Sequence, residues 1–205
     1  MIAIKVLLLT GFLLIGSWAN NGIATAPVKE GTPFGLRMGM TLAEIGGNPK
    51  QVAPGKYQLT SVPKPHSAFE GYVVEVGPQA GLCWVKGIGN DVRTSVYGIE
   101  LKHEYNQMKE RLQEIYGEAH AYDFLLPGSI WDEPKDWMKA LLRQERLLAA
   151  IWDDKSKTPL PSNIQWVFLS ADAVITDRGF IVVEYAFTNL SKCEAEIKQQ
   201  EDRVL

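Results

Sequence analysis

The chain has 205 residues, 46% of them hydrophobic and 22% charged, with 21 Lys and Arg against 24 Asp and Glu for a formal charge of -3. That is enough apolar material for a sizeable core, and the lack of a basic footprint argues against nucleic acid or another polyanion as a partner.

Residues 1–19 read as an address. Lys5 supplies a positive n-region, residues 6–15 an apolar h-region, and Ser17-Trp18-Ala19 a small-x-small cleavage site. The unbroken apolar stretch is about ten residues where a membrane-crossing helix needs roughly 20, so cleavage after Ala19 is expected, with retention as an N-terminal anchor as the alternative. No Cys lies near the cut, which argues against a lipid anchor there. Loss of Lys5 leaves 20 basic against 24 acidic residues, a formal charge of -4. The mature chain is expected to be periplasmic or secreted, without a stable membrane span. In an oxidising compartment thiols tend to pair, and Cys83 and Cys193 admit one intrachain bridge. The alternative is a buried free Cys83 and an exposed free Cys193.

Residues 20–33, rich in Gly, Pro and small side chains, are predicted as a flexible lead-in to a domain over residues 34–205. Residues 34–40 are predicted as a strand. Thr41-Leu42-Ala43-Glu44 has the spacing of a capping box and should start a short helix, which Gly46, Gly47 and Pro49 end. A brief strand is predicted at Tyr57-Gln58-Leu59, and residues 69–76 and 81–87 form a hairpin with Leu82 and Trp84 on one face and Cys83 and Val85 on the other. Over residues 100–116, Leu101, Tyr105, Met108, Leu112 and Ile115 recur at helical spacing, with Gly117 closing the helix. A second helix is predicted over residues 133–144, with Asp132 as N-cap and Pro134 in the first turn. Strands follow at 147–152, 164–174 and 180–187, the last two as a hairpin, and residues 191–203 close the chain as a charged, mostly exposed helix.

The fold class that follows is α+β, an antiparallel sheet with helices packed on one face. A helix followed by three strands occurs twice, so residues 34–95 and 96–190 can be read as degenerate repeats, the second carrying residues 119–145 as an insertion. The alternative is one domain whose two units arose from ordinary local connectivity.

Gly39-Met40-Thr41-Leu42-Ala43-Glu44-Ile45 resembles the opening of small bacterial envelope modules of the outer-membrane assembly lipoprotein type and of β-lactamase-inhibitor-like repeats. In both, a G-M-T segment starts a helix and a small sheet follows. The chain as a whole, with residues 131–138 at its centre, is similar to exported periplasmic proteins of Gram-negative bacteria. The resemblance implies an envelope location and carries over no partner-contacting residue.

The histidines are His66, His103 and His120, none at zinc-ligand spacing, so neither a metal nor a cofactor is expected. No G-x-S-x-G elbow or dinucleotide loop occurs. His120 and Asp123, three apart, are the one pair that could orient a general base, against a plain reading as surface-loop residues. The insertion concentrates Trp131, Trp137, Phe124 and Arg143, residue types enriched at interface cores, against a plain reading as core aromatics. The function expected is a non-enzymatic binding module for an envelope protein or peptide, engaged through its sheet or its insertion loop. The alternatives are an envelope hydrolase acting on glycan or peptide, with His120, Asp123 and nearby carboxylates as acid or base, and an inhibitor or immunity-type module that plugs an active site with residues 123–131.

Overall fold

The computed structural model describes residues 30–203, so the leader, its cleavage site and most of the lead-in lie outside the described residues. The near end of the lead-in is pinned. Asn163 accepts from the Gly31 N–H at 2.8 Å and donates to the Gly31 carbonyl at 2.8 Å.

Residues 34–40 do not form the predicted strand. Pro33–Gly35 is a 3-10 turn in which Phe34 takes a φ of 53°, and the chain turns again at Gly39, φ 79°. The turn delivers the Phe34 ring edge-on to Phe69, Tyr72 and Tyr185, with centroids 5.3, 4.9 and 5.8 Å away. Three such pairs at about 0.5–1.5 kcal/mol each offset the roughly 1–3 kcal/mol cost of a left-handed non-glycine residue. The capping box forms as read, Thr41 Oγ accepting from the Glu44 N–H and the Glu44 carboxylate from the Thr41 N–H, and it opens α1 (Leu42–Ile45). It contributes about 1 kcal/mol.

A meander follows: β1 (Lys50–Ala53), β2 (Lys56–Leu59), β3 (Phe69–Gly77) and β4 (Gly81–Gly89). After the short β5 (Val92–Arg93) come α2 (Ile99–Tyr116), β6 (His120–Leu125), α3 (Trp137–Leu142), β7 (Arg146–Trp152), β8 (Ile164–Ile175), β9 (Arg178–Phe187) and α4 (Leu190–Asp202). All pairings are antiparallel, in the order β1-β2-β3-β4-β9-β8-β7-β6, with β5 beside β9. The fold is α+β. Each half runs from a helix into four meander strands rather than three, and the last strands of the halves, β4 and β9, meet at the centre.

Two predicted helices shift. In α2, Ile115 is 66% exposed and Tyr116 is buried in its place, because the Tyr116 ring packs beside Trp152 and Tyr185. The helix predicted over residues 133–144 is a 3-10 turn, Pro134–Asp136, leading into α3. Asp132 is not its cap, and Gln144 at φ 57° ends it.

Period two assigns the sheet faces. Tyr72, Val74, Val85, Leu148, Ala150, Trp152, Val167, Leu169, Ile181 and Val183 point to one side and join α2 and α3 in the main core. At the β3–β4 hairpin the register shifts, Glu75 pairing with Trp84 and Val76 with Leu82. This bulge puts Leu82 and Val85 in the core and turns Cys83 and Trp84 to the other side, which corrects the predicted facing. α4 packs there, against β3 and β4.

α4 is tied down at several points. Cys83 and Cys193 form a disulfide, Cα atoms 6.3 Å apart, within a small cluster that includes Ile197. The Glu196 carboxylate accepts from the N–H groups of Gln79 and Ala80 at 2.9 and 2.8 Å, and Asn189 donates to the carbonyls of Ala80 and Leu82. The C-terminal helix is charged as predicted, yet Cys193 and Ile197 are buried.

Candidate functional site: the open face of the sheet

On the side of the sheet away from α2 and α3, residues line up in rows across the strands. One row runs Tyr122, Ala149, Ser170, Val182 and Ile88; the next runs His120, Ile151, Phe168, Glu184, Lys86 and Val73. Beyond them lie Phe124 with Leu147 at one end, Asp172 with Phe180, and Trp166, Ala186 and Trp84 at the other. Small residues such as Ala149, Val182 and Ala186 are fully buried between larger neighbours, whereas Leu147, Ile151, Trp166, Phe168, Phe180 and Ile88 are half-buried. Tyr122 and Phe124, on the edge strand β6, are 44% and 42% exposed. Among the described residues, α4 is the helix on this side, and its packing is against β3 and β4. The aromatic part of the face, over β6 to β9, stays open.

A polar border separates that surface from α4. Lys86 pairs with Glu184 at 3.3 Å, and the Trp84 indole N–H donates to the same carboxylate at 3.2 Å. Lys56 lies 5.2 Å over the Trp84 ring and 3.5 Å from Glu75. Burial pushes the Glu75 carboxyl above its ordinary range, and Lys56 opposes the shift. A carboxyl whose value is higher folded than unfolded binds more protons when folded, so its contribution to stability falls as pH rises from the ordinary carboxylate value through the raised one. Glu75→Gln keeps the neutral form at all pH values. Its urea midpoint relative to the parent protein is expected to rise across that window, and a pH-independent difference would show that Glu75 titrates normally.

The structure separates His120 from Asp123. Residues 120–125 form β6, not a loop, and side chains three apart in a strand point to opposite faces. His120 lies on the open face across from Ile151; Asp123 lies across from Leu148 on the helix side and accepts from Arg146 at 2.6 Å. The pair cannot act as a base and its orienter. The other histidines are apart, His66 against Phe69 and His103 beside Gln107 on α2. The ligand atoms of Glu75, Cys83 and Cys193 lie within 4.8 Å of one another, but the two sulfurs are bonded to each other and offer no thiolate.

The four aromatic and Arg residues proposed for binding do not share a surface. Phe124 is on the open face. Trp137 is 5% exposed in the core, with Lys102 4.1 Å over its ring and Arg146 at 5.6 Å. Trp131 is half-buried under Lys139, 3.7 Å from its ring centroid, and Arg143 is exposed at the end of α3.

Sequence reasoning missed Trp166, Phe168 and Phe180. The available signal was that β8 and β9 carry apolar residues at both parities, Trp166-Val167-Phe168-Leu169 and Phe180-Ile181-Val182-Val183, as strands do when both faces are apolar. With helices on one face only of this part of the sheet, the second set is left uncovered.

No protein-family model, curated protein or solved structure matches this chain.

Proposed function

We propose that this chain is an exported, non-enzymatic binding protein of the cell envelope whose open sheet face receives a partner protein. The observation that carries the reading is the surface of Tyr122, Phe124, Ile151, Trp166, Phe168 and Phe180, aromatic and aliphatic, partly exposed, and bordered by the Lys86–Glu184 pair. Aromatic centres with polar rims are the make-up of protein interfaces, and apolar patches of this kind on a sheet mark contact surfaces more often than bare solvent faces. Export is supported by the leader pattern of residues 1–19 and by the disulfide.

The hydrolase alternative loses its basis with the separation of His120 from Asp123. The inhibitor alternative keeps one observation: beyond β6, Leu126 and Ile130 are 42% and 73% exposed in the connection to α3, a loop that could enter a cleft.

A photo-crosslinking residue at Phe168 or Tyr122, installed in intact cells, is expected to capture the same partner from both positions. The same probe at Glu110, exposed on α2, should not, and Phe168→Asp should abolish capture at Tyr122 without changing the melting temperature. Identical products from all three positions would sink the reading. Capture from Ile130 alone would favour the loop-inserting inhibitor.

A further inference from the structure

On the other side of β6, against α2, is a cleft of about 310 Å3. Lys102, Tyr105, Asn106 and Lys109 line it from α2, and Asp123 and Leu148 from the sheet. The four helix residues stand at i, i+3, i+4 and i+7, one stripe of α2, so this wall follows from the helix register. Neither lysine has an acidic residue three or four positions away, and neither forms an ion pair among the described residues. Asp123, the one carboxylate of the lining, is already answered by Arg146. The cleft therefore carries uncompensated positive charge.

A buried polar atom points the same way. Tyr105 is 2% exposed, yet its hydroxyl has no hydrogen-bond partner among the described residues. Lys102 uses one of its protons on the Tyr97 carbonyl at 2.8 Å, and burial, with Arg146 next, holds its ammonium below the ordinary lysine value. A buried polar group left without a partner is rare and costly, and one in a cleft lined by two ammonium groups that form no ion pair favours an anionic acceptor as its ligand. The sheet wall adds the apolar side chains of Ala121 and Leu148, with Tyr122, beside Asp123.

We propose that this cleft binds a small organic carboxylate, its oxygens received by Lys102, Lys109 and the Tyr105 hydroxyl and its apolar body laid against Leu148. The site lies mostly on the opposite side of β6 from the partner surface and shares Tyr122 with it.

Titration of the purified protein with phenylacetate, followed by NMR, tests this, with acetate, inorganic phosphate and uncharged phenylacetamide as comparisons. Saturable shifts confined to α2 and β6 are expected for phenylacetate, weaker ones for acetate and none for phenylacetamide. Lys109→Met and Tyr105→Phe should each weaken binding by about tenfold. Tyr105→Phe should leave the melting temperature unchanged or raised, since it deletes an unpartnered buried hydroxyl; a group kept only for stability would show the reverse. Absence of saturation by phenylacetate, equal binding of phenylacetamide, a response to phosphate alone, or affinity unmoved in both variants would each overturn the assignment.

Discussion

Replacing both cysteines, Cys83→Ala with Cys193→Ala, is expected to lower the free energy of unfolding by about 4–5 kcal/mol. The bridge joins residues 110 apart, and the chain-entropy model for a loop of that length gives roughly this value. Against a typical total of about 5–15 kcal/mol, that would leave a marginal protein. α4 should nonetheless stay docked in the folded state, since Glu196 still caps the β3–β4 turn and Asn189 still bonds its carbonyls. Urea unfolding of the double variant and of the reduced parent should therefore give coincident curves. A loss below about 1 kcal/mol would mean that the unfolded chain is already constrained by other means.

Trp152→Ala is expected to cost about 3–5 kcal/mol, the range for truncating a large buried aromatic side chain. Trp152 is fully buried, packs beside Tyr116, and its indole N–H donates to the Gly117 carbonyl at 2.7 Å. That bond ties the end of α2 to β7. Trp152→Phe keeps most of the packing and leaves the carbonyl unpaired, so its expected cost is smaller, about 1–3 kcal/mol. The ordering of the two variants by calorimetry separates packing from hydrogen bonding, and equal losses would assign the whole effect to the bond.

Features encoded over a few residues were readable in advance. The Thr41–Glu44 box, the Gly117 stop and the β8–β9 hairpin depend on neighbours in sequence, and each forms where local chemistry placed it. Edge strands were not readable. β1 is exposed at every position and β6 nearly so, so neither shows the alternation that burial imposes; each is a strand because a partner strand lies beside it. The bulge at Cys83 and Trp84 is likewise invisible to period two, and it reversed the facing of Trp84. The candidate binding surface was obscured for a related reason: Phe168 and Trp166 alternate with Val167 and Leu169 in one continuous apolar run, and only the placement of the helices shows which set is covered. The α2 side of the cleft could be traced along the helix, but its other wall includes β6, a strand that sequence alone did not predict.

The meeting of β4 and β9 at the centre of the sheet sets a condition on how the chain assembles. Trp84 pairs with Ala186 and Ile88 with Val182, so the inner edge of the first meander finds its partner only when the end of the second arrives. A chain extending outward from the amino terminus would present β4 as a bare, largely apolar edge through the synthesis of α2 and five further strands. Pairing across such sequence separation is slow, and exposed strand edges template association. Refolding yield is therefore expected to drop with protein concentration, and a fragment ending before β9 to associate rather than fold.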